Sequence, residues 1–224
     1  MRLSTSIILL CSVYALYGQS ETAKRLDAAA VVFSEVMATP DKAIPQQLLD
    51  KASCVVVVPG LKKGAFIVGA KYGKGFLSCR KRGGTGWTAP GSVRIEGGSF
   101  GLQIGGSETD VIMLVMNERG AQRLLSSKFT LGGDASVAAG PVGRTATAQT
   151  DAYMTAEILS WSRSRGVFAG IALNGATLRQ DLDDNRELYG KTLENKEIVD
   201  REVAAPKAAE RLISLFNKYS PRKG

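Results

Sequence analysis

The spacing of apolar residues predicts amphipathic helices at both ends of the chain. Between residues 21 and 37, apolar side chains recur every three or four positions, the spacing of one helical face: Leu26, Ala29, Ala30, Phe33, Val36 and Met37. Residues 46–51 form a short second predicted helix. Towards the C-terminus, residues 206–219 place their apolar side chains on one side, and residues 181–189 form a further helix that Gly190 ends.

Between these helices, the pattern changes to short apolar runs typical of β-strands. The run at 54–58 is apolar at every position and is closed by Pro59-Gly60, as expected of a buried strand. Gly73-Lys74-Gly75 separates two strand-like stretches and predicts a hairpin turn. A helix capped by Asn117 is expected in the same region. The other predicted strands are 65–72, 76–80, 93–96, 100–104, 111–116, 130–131, 135–139, 145–150, 153–162 and 167–178.

Glycines flank several of these predicted strands. Gly64, Gly98 and Gly166 each stand two positions before a phenylalanine, and a further glycine follows each of them. Because glycine weakens a strand, so many of them indicate tight bends or close approaches of the backbone. The sequence therefore predicts a single α+β domain over residues 21–224. We expect a strongly curved, barrel-like and mostly antiparallel sheet with amphipathic helices at both ends.

Residues 1–20 are predicted to be a cleaved secretory signal peptide and not part of the fold. Arg2 is followed by a mostly apolar stretch, residues 3–16, and then by the small residues Gly18 and Ser20. This stretch is too short to cross a hydrocarbon layer of about 30 Å as a helix. The domain is therefore expected to be exported, either to the periplasm or out of the cell.

Positive charge is concentrated in one part of the chain. The sequence has 29 Lys and Arg against 21 Asp and Glu, which gives a formal net charge of +8. Residues 51–95 contain nine of the basic residues and no acidic residue. Such a one-sided field attracts an anionic surface, either a membrane or a nucleic acid, and export argues against nucleic acid. The alternative is a set of solvated basic side chains without a partner.

The candidate lipid contacts are basic residues of this window and one tryptophan. Trp87 follows three consecutive basic residues across a glycine-rich loop, and tryptophan beside basic residues suits a membrane interface. The alternative is that Trp87 starts a strand and packs inside the domain. The predicted lipid-binding residues are Lys62, Lys63, Lys71, Lys74, Arg80, Lys81, Arg82 and Trp87.

Signals for catalysis or metal binding are weak. The chain has no histidine, which removes the usual zinc sites and every mechanism that needs a histidine base. Residues 69–74 resemble a phosphate loop, but the glycine spacing is one residue short and no Ser or Thr follows the lysine. The acidic residues at 181–184 fit the start of a helix better than a calcium loop. We therefore expect no enzymatic activity, no metal and no cofactor.

Two cysteines follow the predicted signal peptide, Cys54 and Cys79. Both lie on predicted strands early in the sheet, and export permits disulfide formation. A Cys54–Cys79 disulfide is therefore predicted, and two buried free thiols are the alternative.

Several strings of sequence resemble the SYLF-domain family. The longest are residues 129–144, FTLGGDASVAAGPVGR, and residues 160–170, SWSRSRGVFAG. Shorter ones are Gly64-Ala-Phe, Gly86-Trp-Thr-Ala-Pro90, and residues 100–105 followed by Thr109-Asp110. They occur in order from about residue 23 to residue 190. The predicted C-terminal helix lies outside the resemblance.

This resemblance implies lipid binding and not catalysis. Eukaryotic members of the family bind phosphoinositides, fungal members also bind actin filaments, and many bacterial members are exported. Export makes actin an unexpected partner for this chain. The resemblance thus implies a peripheral protein that binds anionic phospholipid through a basic surface. The alternative is a structural or interaction protein of the cell envelope that contacts an acidic polymer or a protein partner.

Overall fold

The computed structural model describes residues 19–39, 43–66, 68–83, 85–100, 105–143, 155–164 and 166–221. Three of the predicted segments lie wholly or largely outside these residues: the signal peptide up to residue 18, the strand at 145–150 and the strand at 100–104. Among the described residues, no helix is long and apolar enough to cross a membrane.

The helices predicted at both ends of the chain are confirmed. The described helices are α1 (Glu21–Ala38), α2 (Gln46–Lys51), α3 (Glu118–Leu124), α4 (Leu182–Tyr189), α5 (Asn195–Asp200) and α6 (Glu210–Tyr219). Asn117 caps α3 by accepting a hydrogen bond from Gly120 N, as its residue type predicted. Gly190 ends α4 in the left-handed conformation, with φ of 68°.

Nine described strands form one sheet: β1 (Cys54–Phe66), β2 (Val68–Cys79), β3 (Gly91–Phe100), β4 (Gly105–Val115), β5 (Lys128–Thr130), β6 (Val137–Ala139), β7 (Ile158–Ser164), β8 (Val167–Gly170) and β9 (Thr177–Gln180). Their order is β5-β9-β3-β2-β1-β4-β7-β6, and β8 also pairs with β7. Only the β6–β7 pairing is parallel among them. The sheet curls into a half-barrel, so the predicted fold class is confirmed.

Around residues 54–58 and 76–79, the sheet is buried on both of its faces. On one face, which we call the helical face, Val55, Val57 and Phe76 pack with Phe33 of α1 and Phe216 of α6. On the other, which we call the inner face, apolar residues from strands near both edges meet in one cluster, including Val56, Val58, Leu77, Phe129, Ile158 and Leu178. Alternate residues of a strand point to opposite faces. The uninterrupted apolar run at 54–58 therefore reflects burial on both sides.

The predicted stop at Pro59-Gly60 is wrong, because β1 continues through these residues as a bulge. The register of β1 against its neighbours shifts between Val58 and Leu61. Gly60 adopts a positive φ of 63°, and its N–H donates to Asp110 Oδ1 at 2.9 Å. A bulge bends a strand without ending its pairing. The Pro59-Gly60 sequence, which is typical of a turn, therefore occurs here inside a continuous strand.

The predicted hairpin turn at Gly73-Lys74-Gly75 is also wrong. These residues lie within β2, which pairs with β3 without interruption from Val68 to Leu77. The chain instead reverses next to the pair Phe66 and Val68. The predicted strand at 167–178 is likewise two strands, β8 and β9, in different parts of the sheet.

Cys54 and Cys79 form the predicted disulfide. The two residues are direct partners across β1 and β2, at the start of one strand and the end of the other. Cys54 also pairs with Val115 of β4. This row marks one end of the sheet, which we call the cysteine end.

Candidate functional site

The sheet separates the predicted basic window into two distant groups. Lys62, Lys63 and Lys71 lie near the opposite end from the disulfide, where β1 passes into β2; we call this the hairpin end. Lys81 and Arg82 follow the cysteine end of β2. Lys71 and Lys81 are ten positions apart, which is roughly 30 Å at the rise of a β-strand. The two groups therefore form separate surfaces.

Two lysines of the hairpin end face each other across neighbouring strands. Lys63 of β1 and Lys71 of β2 are direct register partners, so their Cβ atoms are about 5 Å apart. Leu61 and Leu77 both lie on the inner face. Because side chains of a strand alternate between faces, Lys63, two positions after Leu61, and Lys71, six positions before Leu77, lie on the inner face too. Burial, and then the positive charge of Lys71, lower the pKa of Lys63 below its ordinary value.

The row that contains this pair has no carboxylate. Lys71 pairs with Gly97 of β3, and Lys63 pairs with Ser107 of β4. The row across four strands on the inner face is therefore Gly97, Lys71, Lys63 and Ser107. No described carboxylate forms an ion pair with either lysine. The pair is thus a local excess of positive charge.

On the helical face of the same end, an exposed lysine lies beside an exposed tyrosine. Lys62 is the register partner of Tyr72 and of Glu108. Tyr72 is 48% exposed, which is unusual for a large side chain in this domain. Its other partner, Glu96, already forms ion pairs with Arg94 at 2.8 Å and Arg179 at 3.5 Å. The sequence analysis did not select Tyr72. The available signal was its position directly after Lys71, at the glycine-flanked end of a predicted strand.

Lys74 does not belong to this surface, and its prediction as a lipid-binding residue is corrected. It lies on the helical face beneath α4, with Nζ 2.8 Å from Asp181 Oδ2 and 2.9 Å from Asp184 Oδ1. Arg25 of α1 also donates to Asp184. Hydrogen bonds to the two carboxylates outweigh the effect of burial, so the pKa of Lys74 is raised. Its charge is used inside the domain, where it joins the sheet to α4.

Arg80 and Trp87 are corrected as well, because both serve the core. Trp87 is 1% exposed and packs against Phe216 of α6. The guanidinium of Arg80 lies 3.9 Å from the centroid of the Trp87 ring and donates to Ser220 O at 2.7 Å. It also donates to the carbonyl of Leu49 at 3.1 Å. The two residues thus hold α2 and the end of α6 against the sheet and leave the lipid-contact set.

At the cysteine end, the predicted lipid-binding residues Lys81 and Arg82 are exposed. Arg82 forms an ion pair with Asp200 at 3.1 Å, and its backbone N–H donates to Glu202. Acidic residues of α5 and its C-terminal turn therefore offset much of this charge. Of the two basic surfaces, the hairpin end has the less compensated charge.

The described part of the chain has no group of three metal-ligating side chains.

Comparison with known proteins matches residues 96–219 to the Ysc84 family, described as "Las17-binding protein actin regulator". The match covers more than half of the chain. The chain belongs to this family. Because Ysc84 and SYLF denote the same domain family, the resemblance to SYLF domains is confirmed. The family description names binding and regulation and not a chemical reaction.

Three relatives illustrate the similarity of this Ysc84-family chain to curated proteins. The SH3 domain-containing YSC84-like protein 1 of Xenopus laevis is 32% identical over 82% of the chain and 55% of that protein. Protein YSC84 of Saccharomyces cerevisiae is 33% identical over 79% of the chain and 38% of that protein. LAS seventeen-binding protein 3 of the same species is 29% identical over 94% of the chain and 47% of that protein. The chain spans about half the length, or less, of these relatives.

Proposed function

We propose that this Ysc84-family domain is an exported, non-enzymatic protein that binds an anionic phospholipid surface through its hairpin end. The observation that carries the proposal is the Lys63–Lys71 pair, which has no carboxylate in its row, together with the exposed Lys62 on the other face of the same end of the sheet. Tyr72 adds an exposed aromatic ring beside Lys62. Tyrosine is a residue type enriched where proteins meet the headgroup layer.

The expected affinity is low, and it depends on charge. Each basic residue near an anionic leaflet contributes about 1 kcal/mol, so three lysines contribute about 3 kcal/mol. Alone this corresponds to reversible, millimolar-range binding. Because the contributing charges are near solvent, salt weakens the attraction over a Debye length of about 8 Å at physiological ionic strength.

We expect the triple variant Lys62→Glu, Lys63→Glu and Lys71→Glu to lose at least about 100-fold in partitioning onto phosphatidylglycerol vesicles. Sedimentation with vesicles at low salt measures this, with phosphatidylcholine vesicles as the neutral reference. The matched control reverses Lys196, Lys207 and Lys218, three exposed lysines on α5, the turn before α6, and α6. Its change in net charge is identical.

Two results would contradict the proposal. An equal loss in both triple variants would show that net charge alone governs binding and that the hairpin end has no special role. A wild-type protein that ignores phosphatidylglycerol at low salt would rule out the lipid-binding function for this chain, whatever its family.

Export is the second part of the proposal. The Cys54–Cys79 disulfide supports it, because disulfides persist mainly in oxidising compartments. We expect intact-mass measurement of protein from its native host to give a chain that begins near Gln19 or Glu21. A mass that includes residues 1–18 would contradict export by a cleaved signal peptide.

The family description favours a second candidate function, which is binding to a protein partner. The matched family is described as Las17-binding and as an actin regulator, and a yeast relative is named for binding Las17. Co-sedimentation with actin filaments tests this candidate directly. Filament binding without vesicle binding would favour it, whereas export would make an acidic polymer or protein of the cell envelope the more suitable partner.

A further inference from the structure

Helix α3 covers part of the inner face of the sheet with one side and presents a polar side to solvent. Ala121 and Leu124 of α3 are buried in the inner-face cluster, together with Phe129 of β5. Residues three or four positions apart share one side of a helix. The side of α3 opposite the buried pair therefore carries three exposed polar residues: Arg119, Gln122 and Arg123.

A groove of about 690 Å³ lies between this polar side of α3 and β5, which is the last strand at one edge of the sheet. We call it the α3 groove. Its charged lining is three cations, Arg119, Arg123 and Lys128, and one carboxylate, Asp134. Asp134 already accepts a hydrogen bond from Thr130 N at 2.6 Å. A hollow of about 500 Å³ shares Arg119, Arg123 and Asp134 with the groove and lengthens it.

Two of the three cations have no carboxylate partner. No described carboxylate forms an ion pair with Arg119 or Lys128, and both side chains are exposed. The other charged clusters differ, since Arg163 is held by Asp110 and Glu35. The α3 groove therefore has a local excess of positive charge, which attracts an anionic ligand.

The third cation, Arg123, is held in a fixed orientation by the protein. Its Nη1 donates to the carbonyl of Asp134 and to Glu157 Oε2, the latter at 2.9 Å. The side chain is still 43% exposed. No described group accepts from its Nε or Nη2. These two donors lie on one edge of the planar guanidinium and suit a carboxylate that binds through both of its oxygens.

The spacing of the two arginines matches an extended acidic peptide. Arg119 and Arg123 are four positions apart on a helix, so their Cβ atoms are about 5–6 Å apart. Alternate side chains of an extended chain lie on one side of it, about 6–7 Å apart. Carboxylates on alternate residues can therefore reach both arginines at once.

We propose that the α3 groove binds an acidic segment of a partner protein in an extended conformation. Arg123 binds one carboxylate through its free edge, and Arg119 and Lys128 attract the neighbouring carboxylates. The groove lies near the cysteine end, since α3 begins three residues after Val115, the register partner of Cys54. It is thus separate from the hairpin end and does not depend on the proposed membrane contact.

Fluorescence anisotropy at low salt, with a labelled peptide in which Glu alternates with Ser, tests this surface. The wild type is expected to bind it about tenfold more tightly than a peptide with Gln in place of Glu. Arg119→Gln with Lys128→Gln is expected to remove this preference. The matched control, Arg201→Gln with Lys207→Gln, changes two exposed residues of the same types. It alters the net charge equally and is expected to keep the preference.

Four results would overturn the groove. The first is a wild type that does not distinguish the two peptides, and the second is an equal loss in both double variants. The third is full binding by Arg123→Lys, which keeps the charge but not the planar fork. The fourth is binding of polygalacturonate, an acidic polysaccharide, without binding of the Glu peptide, which would make an acidic polymer the ligand.

Phosphatidylglycerol vesicles separate this inference from the proposed function. The Arg119→Gln and Lys128→Gln variant is expected to bind vesicles as its matched control does, and a selective loss would overturn the groove as a separate surface. Peptide binding without vesicle binding would support the groove and overturn the membrane function. Vesicle binding without peptide binding would overturn the groove alone.

Discussion

Replacing Lys74 with alanine is expected to lower the free energy of unfolding by about 3–5 kcal/mol, because it leaves buried carboxylates without their main cation. Asp181 is 1% exposed, and its Oδ2 lies 2.8 Å from Lys74 Nζ. Asp184 is 6% exposed and keeps Arg25 as a second partner. The loss therefore falls mainly on Asp181. Chemical denaturation at neutral pH measures it.

The effect of Lys74→Ala is expected to depend on pH. Burial opposes ionisation of Asp181, but hydrogen bonds from Lys74 and from Asp184 N outweigh it, so the pKa of Asp181 is lowered. A carboxyl group with a lowered folded-state pKa stabilises the fold above its unfolded pKa of about 4. That contribution disappears as the pH falls through the folded pKa. The stabilities of wild type and variant should therefore converge below about pH 4.

Lys71→Ala provides the contrasting control, since Lys71 lies three positions away on the same strand but on the opposite face. Removing one of two facing lysines is expected to leave stability unchanged or to raise it by a few tenths of a kcal/mol. It should weaken vesicle binding, whereas Lys74→Ala should not weaken vesicle binding of the folded protein. If Lys74→Ala weakens binding without loss of stability, the assignment of Lys74 to the interior is wrong.

Local sequence predicted the helices well because their information is local. The apolar stripe of residues 21–37 and the caps at Asn117 and Gly190 each specify a helix through contacts within a few positions. The general architecture, a curved antiparallel sheet between terminal helices, followed from the same patterns. The strand boundaries were predicted less well, because glycines and Pro59 look the same in the sequence whether they form a turn or lie in a bulged or closely packed strand.

The candidate site could be predicted only in part, because charge alone does not specify a partner. Lys62, Lys63 and Lys71 lie together near one end of the sheet. Lys74 has the same residue type and neighbourhood in sequence, but its carboxylate partners are more than 100 positions away in α4. Arg80 donates to Ser220, 140 positions later. Such long-range partners are set by the fold, and so the sequence could not separate structural from available cations.

Gly75→Ala is expected to destabilise the domain by about 3 kcal/mol or more, because a methyl group there would overlap the neighbouring strand. A Cβ atom at this position would lie 2.2 Å from Val57 O and 2.7 Å from Val58 Cα. Both contacts are with the backbone of β1, which cannot rotate away as a side chain does. The two strands would have to separate at the point where β1 bulges and the sheet curls.

Gly64→Ala is the matched control for this variant, since Gly64 lies on the paired strand β1 and a Cβ atom there meets nothing within 4 Å. That substitution is expected to leave stability unchanged or to raise it by up to about 1 kcal/mol, since alanine restricts the unfolded chain more than glycine does. Thermal unfolding of the two variants beside the wild type makes the comparison. If Gly75→Ala melts like Gly64→Ala, the close approach of β1 and β2 does not require glycine. The curvature of the sheet would then not explain why glycine occupies positions 73 and 75.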